Sequence, residues 1–207
     1  MRPSFRLCYI TGPDSLHTRS LEMILPEAVE AGIDLIQIRA KNFDTRRLMR
    51  LAECAIAHAQ GTPSQVVIND RLDVAWGLGA AGVHLGNHSM PARRVRAITP
   101  KSFMVGVSCH SLEEARAAEL AEADYILLGP VFETPAKLVY GPPLGLDKFH
   151  EIAARVKTPI LALGGITLGR VKSCLEAGAA GIAAIRLFQE APSLSQRVAE
   201  LRAQFPA

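Results

Sequence analysis

The sequence predicts a single (β/α)₈ barrel over residues 1–207, a closed ring of eight parallel strands with a helix after each. Three observations predict it. Four segments (30–38, 79–86, 121–129 and 176–185) share one layout, in which an Ala/Gly-rich helix end runs into a short apolar strand. Other short apolar runs fall between them, and stretches of helical period separate the runs, which is the order of a parallel sheet with right-handed crossovers. The last two runs end in Gly164-Gly165 and in Ile185-Arg186, where a barrel of this kind builds an anion site.

Taken in order, the strands begin at Leu7-Cys-Tyr-Ile and continue through Ile33 to Ile38, Val66-Val-Ile, Val83-His-Leu, Met104-Val-Gly-Val, Tyr125-Ile-Leu-Leu, Pro159-Ile-Leu-Ala-Leu and Gly181 to Arg186. Helical periodicity covers 45–59, 112–120, 146–156 and 194–205. Ser111-Leu-Glu-Glu has the form of a capping box at the start of one of these helices. The longest unpatterned stretch, 131–144, holds three prolines and is a candidate lid or simply a connection. No linker, low-complexity run or charge block marks a second domain.

Composition narrows the function classes. Hydrophobic residues at 49% and charged residues at 21% describe a globular chain rather than a disordered one. A net charge of +3 is too small to suggest nucleic-acid binding. No apolar run is long enough to span a bilayer and no signal peptide is evident, so the cytoplasm is the expected location. The four cysteines, Cys8, Cys54, Cys109 and Cys174, lack metal-ligand spacing and read as small buried hydrophobes, with Cys109 the one placed beside polar residues at a strand end. Partners are expected to be small phosphorylated molecules, not nucleic acid or membrane; a homo-oligomer is an open possibility.

Polar residues at strand C-terminal ends are where a barrel does its chemistry. Gln37, Arg39 and Lys41 share one side of a strand, and the rigid guanidinium with a point-charge ammonium suits phosphate or pyrophosphate, unless Lys41 is merely in solvent. Asn69-Asp70 closes the third run; Asp70 either holds a divalent ion or caps the next helix. His84 sits within its strand as a core residue or a ligand contact. Ser108 and His110 share one parity at the fifth strand's end, where an imidazole can move a proton; no acid adjoins His110 in sequence, which favours proton transfer over covalent catalysis. Thr134 and Lys137 could close over a phosphate, or Lys137 is a solvated charge. Gly164, Gly165 and the backbone of Ile185 and Arg186 would form the phosphate cup, although a Gly pair alone is ordinary turn chemistry.

Read together, Gln37-x-Arg39-x-Lys41, Asn69-Asp70, Gly82-Val-His84-Leu-Gly86, Gly106-Val-Ser108-x-His110, Gly129-Pro-Val-Phe-x-Thr134-x-x-Lys137 and Gly164-Gly165-Ile-Thr resemble the thiamine phosphate synthase/TenI superfamily over nearly the whole chain. The resemblance implies a barrel enzyme of thiamine biosynthesis that binds a thiazole ethyl phosphate. One branch, the synthase, couples that thiazole to a hydroxymethylpyrimidine pyrophosphate and releases pyrophosphate with Mg²⁺. The other, TenI-type thiazole tautomerase, shifts a proton to aromatise a carboxythiazole phosphate and needs no metal. The synthase pattern places a second metal-binding Asp where this chain has Ser89, and its Thr-x-Thr-Lys reads Thr134-Pro-Ala-Lys137 here. These departures make the tautomerase the leading expectation, with His110, Ser108 and Lys137 as its catalytic set, Gln37, Arg39, Lys41, Asn69, His84 and Thr134 binding substrate, and no cofactor. The alternatives are the synthase, with Asp70 holding Mg²⁺, and a binder of phosphate ligands without catalysis.

Overall fold

A computed structural model describes residues 5–12, 20–40, 42–134 and 142–206. Strands β1 (Leu7–Ile10), β2 (Leu35–Ile38), β3 (Gln65–Asn69), β4 (Gly82–Leu85), β5 (Met104–Cys109), β6 (Tyr125–Leu128), β7 (Ile160–Leu163) and β8 (Gly181–Ala184) form one closed barrel in sequence order. Each pairs in parallel with the next, and Cys8 beside Ala183 closes β1 on β8. The helices between them are α1 (Leu21–Glu30), α2 (Thr45–Ala59), α3 (Leu72–Gly77), α4 (Ala92–Ile98), α5 (Leu112–Leu120), α6 (Gly145–Ala153) and α7 (Val171–Glu176), followed by α8 (Arg186–Gln189) and α9 (Leu194–Arg202). The expected barrel is therefore present.

Strand alternation divides the apolar residues into two cores. Cys8, Ile10, Leu35, Val67, Met104, Tyr125, Leu127, Leu161 and Ala183 fill the barrel. Their neighbours on the other strand face, such as Tyr9, Ile36, Val83, Ile126 and Ile182, pack in a larger layer with the helices. Helices α2 and α5 match the sequence expectation residue for residue, whereas α6 and α9 end at Ala153 and Arg202 rather than at 156 and 205. Val156 and Phe205 still pack on the outer core, so the apolar period outlasts the helical hydrogen bonding.

The N-terminal ends of the strands are fastened by two carboxylates. Asp34, just before β2, accepts from the N–H groups of Arg6 and Leu7 at 2.9 and 2.8 Å and pairs with Arg202 at 2.6 Å. Asp124, just before β6, accepts from Val105 N–H at 2.7 Å and from Arg96 at 2.5 Å. Each ties an amide near the start of the preceding strand to a helix. Asp124→Ala leaves a largely buried arginine and a strand amide without their partner, and is expected to cost about 2 kcal/mol in urea unfolding. A loss within error of zero would show that the clamp is ornamental.

Candidate active site

The C-terminal ends of the strands carry the polar residues. Alternation turns Gln37 on β2, Asn69 on β3, His84 on β4 and Ser108 on β5 toward the barrel axis, in line with the apolar residues beneath them. Gln37 and His84 are buried and Ser108 is half-buried. His84 Nε2 lies 2.8 Å from Ser108 Oγ, and its Nδ1 lies 3.0 Å from the Tyr125 hydroxyl below. Burial holds the His84 pKa down to about 3, so the ring is neutral. Arg39, just past β2, is half-buried; its backbone N–H donates to Thr11 Oγ1 at 2.7 Å, and the Thr11 hydroxyl donates back to Arg39 O at 3.1 Å. Lys41 lies outside the described residues.

Asp70 does not cap a helix. Helix α3 starts at Leu72 with Arg71 at its N-cap and no side-chain cap, because Asp70 takes a left-handed backbone, φ 62°. That conformation is uncommon outside glycine and turns the carboxylate elsewhere. Asp70 Oδ2 accepts from Asn69 Nδ2 at 2.6 Å, and Oδ1 accepts from the Ser89 hydroxyl, which is itself held by Gly86 N–H at 2.7 Å. The position where the synthase pattern has a second Asp is thus directly beside Asp70 in space. Among the described residues, no group of three or more His, Cys, Asp or Glu side chains is arranged to hold a metal.

His110 follows β5. Ser111 caps α5 by accepting from Glu114 N–H at 3.2 Å, and the Glu114 carboxylate accepts from His110 N–H at 2.6 Å and lies 3.2 Å from its Nδ1. The acid missing beside His110 in sequence is therefore supplied by the first turn of the helix. The neighbouring Cys109 is buried on the outer face of β5, and burial pushes its thiol up to about 12, so it is packing. Cys8 and Cys174 are buried as expected, and Cys54 is half-buried.

Strand β8 pairs with β7 so that Leu163 faces Ala183, which sets the two rims side by side. Gly164 and Gly165 have φ of 98° and 64°. A Cβ on Gly164 would lie 2.6 Å from Pro130 Cα, and one on Gly165 would lie 2.7 Å from Phe132 Cβ, so only glycine admits the β6 loop this closely. Thr167 leads into a 3₁₀ turn, Leu168–Arg170, rather than directly into an α-helix. Arg170 donates to Gly165 O at 2.8 Å and stacks on the Phe132 ring at 4.4 Å, tying the two loops together. Among the described residues, nothing accepts from the backbone N–H of Gly165, Ile185 or Arg186. Those three donors make a cup suited to an anion. The Arg186 side chain is not part of it; it is exposed, 3.7 Å from Glu190. Thr134 Oγ1 is buried without a partner among the described residues, and Lys137, with residues 135–141 of the expected lid, lies outside them.

Comparison with known proteins decides the family. Residues 7–188 match the family described as thiamine monophosphate synthase. The chain belongs to that family. It is 38% identical over 181 residues to a thiamine-phosphate synthase of Halalkalibacterium halodurans, covering 87% of this chain and 86% of the relative. A thiamine-phosphate synthase of Methanocella arvoryzae is 42% identical over 158 residues, covering 76% of this chain and 74% of the relative. The solved thiamine phosphate pyrophosphorylase of Pyrococcus furiosus superposes with a TM-score of 0.86 at 33% identity, covering 98% of this chain and 96% of that one. The family places the protein among the enzymes of thiamine biosynthesis. Of the two expected branches, these relatives bear the name of the synthase and lend the tautomerase none.

Three residues of the candidate site do not stand out in the sequence as site residues: Tyr125 under His84, Glu114 beside His110, and Arg170 between the loops that hold Phe132 and Gly165. Only Glu114 had a signal, its place in the capping box.

The neutral His84 has a consequence for stability. Below about pH 6.5 the unfolded chain takes up a proton at this histidine that the folded chain refuses until about pH 3. The His84 contribution is therefore complete above pH 6.5 and declines toward pH 3, by about 2 kcal/mol at pH 5. Urea titrations at pH 7 and pH 5 should show this loss in the native protein and a smaller one in His84→Gln. Equal losses would mean that His84 is protonated in the fold.

Proposed function

We propose that the protein is a thiamine-phosphate synthase, acting on thiazole ethyl phosphate and hydroxymethylpyrimidine pyrophosphate. The observation that carries this reading is the presentation of Asp70, whose carboxylate is exposed at the mouth in a left-handed backbone instead of capping α3. A one-substrate proton shift has no use for a carboxylate so placed, whereas a pyrophosphate needs a cation. The names of the relatives support the same choice.

In this reading the thiazole ring nitrogen forms a C–N bond to the pyrimidine methylene carbon as the C–O bond to pyrophosphate breaks, and pyrophosphate leaves with the bonding pair. The amides of Gly165, Ile185 and Arg186 hold the thiazole phosphate. Gln37, Asn69 and Ser108 line the floor for the rings, Arg39 binds the leaving pyrophosphate, and Thr134 contributes from the end of the β6 loop that is described; Lys41 and Lys137 are assigned to the phosphates from sequence and lie outside the described residues. Mg²⁺ is commonly held by one or two carboxylates plus substrate phosphate oxygens, and Asp70 fits as that carboxylate with the Ser89 hydroxyl as a neutral neighbour. Bound there, Mg²⁺ would offset the charge of the pyrophosphate. His84 serves from beneath, by holding Ser108.

Ser89 favours a second reading, since it removes the second carboxylate. In that case the protein is the thiazole tautomerase, with His110, oriented by Glu114, transferring the proton. One experiment separates the two. Incubation with both synthase substrates should yield thiamine phosphate and equimolar pyrophosphate only with Mg²⁺, and Asp70→Asn should slow it at least about a hundredfold. Absence of product, with metal-free conversion of carboxythiazole phosphate that His110→Gln abolishes, would overturn the synthase and establish the tautomerase.

A further inference from the structure

Below the mouth, three buried or half-buried groups form a chain: the Tyr125 hydroxyl, the His84 ring and the Ser108 hydroxyl, with contacts of 3.0 and 2.8 Å. A neutral imidazole has one donor and one acceptor, so the chain has two possible directions. In the first, Tyr125 donates to Nδ1, Nε2–H donates to Ser108 Oγ, and the Ser108 O–H is left free. In the second, Ser108 donates to Nε2, Nδ1–H donates to Tyr125, and the phenolic O–H is left without an acceptor.

The two directions are not equal in energy. Tyr125 is fully buried; the Gln37 amide reaches its oxygen as a donor, and His84 Nδ1 lies within hydrogen-bond distance as the acceptor for its O–H. Stranding that O–H costs on the order of 1–3 kcal/mol, whereas Ser108, half-buried below the mouth, can donate to a ligand or water. The tyrosine is also fixed in place. Its ring lies over Gly106, where a Cβ would be 2.0 Å from Cζ, and meets the edge of Phe5 at 6.0 Å.

We propose that Tyr125 is a positioning residue: its hydroxyl holds His84 as the Nε2–H tautomer, so that Ser108 offers its own O–H to an acceptor atom of the bound substrate. One uncharged donor, the Ser108 O–H, in a polar but uncharged floor matches a lone-pair acceptor of an uncharged ring, such as a nitrogen heterocycle. The identity of that ring rests on the synthase reading; the tautomer does not.

The test begins with the unliganded protein. Long-range ¹H–¹⁵N correlation of ¹⁵N-histidine-labelled protein at pH 7 should show His84 protonated at Nε2 and bare at Nδ1, and Tyr125→Phe should convert it to a mixture of tautomers. In steady-state assays Y125F should raise KM for one of the two ring substrates about tenfold, as loss of one aligned hydrogen bond does, with kcat little changed. Ser108→Ala should give a similar rise, and the double variant Y125F/S108A should be no worse than S108A. A wild-type His84 protonated at Nδ1, or strictly additive losses in the double variant, would overturn the proposal. A protein that shows the Nε2–H tautomer but forms no thiamine phosphate would refute the synthase reading alone.

Discussion

A strand of four to six residues has only two or three side chains that point into a barrel, and eight such strands closed in register leave no slack for choosing which. A slip of one residue on any strand would send its inner set outward to the helices. That constraint converts sequence parity into position. It makes Leu35, Val67 and Met104 filling for the lower barrel and turns later inward residues of the same strands, Gln37, Asn69 and Ser108, into the floor of the mouth. It also sets Gly164-Gly165 beside Ile185-Arg186, because β7 and β8 are neighbours in one ladder.

The transition from packing to chemistry occurs within a single layer of side chains. Beneath it the barrel is filled by apolar side chains; above it lie the amides of the β7–β8 rim and the carboxylate of Asp70. The layer itself is polar but uncharged. Burial keeps His84 neutral and raises the Tyr125 pKa well above its usual value, so both act as hydrogen-bonding groups and neither as an ion. A neutral floor avoids the large penalty of an unpaired buried charge while still fixing the direction of its donors. Charge is confined to the rim, where solvent and substrate can balance it.

Much of this was legible in the sequence, and the parts that were not share a cause. Short apolar runs marked all eight strands, and helical periodicity placed α2 and α5 to the residue, with the Ser111 capping box marking the start of α5; in the structure Asp44 caps α2 in the same way. Helix α1 was not placed, since Pro26 lies inside it and interrupts the helical reading. The candidate anion rim at Gly164-Gly165 and Ile185-Arg186, Asn69-Asp70 and the Ser108/His110 pair stand out from their strand-end positions. One local rule did not hold: an Asp before a helix can cap it, but the left-handed backbone of Asp70 turns its carboxylate toward Ser89. Cys109 is a buried hydrophobe as its sequence suggested, although it adjoins polar residues, because parity puts it under the helices. Tyr125 and Arg170 had no signal, because their roles come from contacts between residues 41 and 38 positions apart in the chain, His84 with Tyr125 and Phe132 with Arg170.

In the proposed function the substrate phosphate is held by main-chain donors where β7 meets β8, facing Asp70 across the mouth. A crystal structure with thiazole ethyl phosphate bound measures this directly. The phosphate should lie within hydrogen-bond distance of the N–H groups of Gly165 and of Ile185 or Arg186, with the thiazole ring toward Ser108. A phosphate seated elsewhere, with those amides bound only to water, would contradict it.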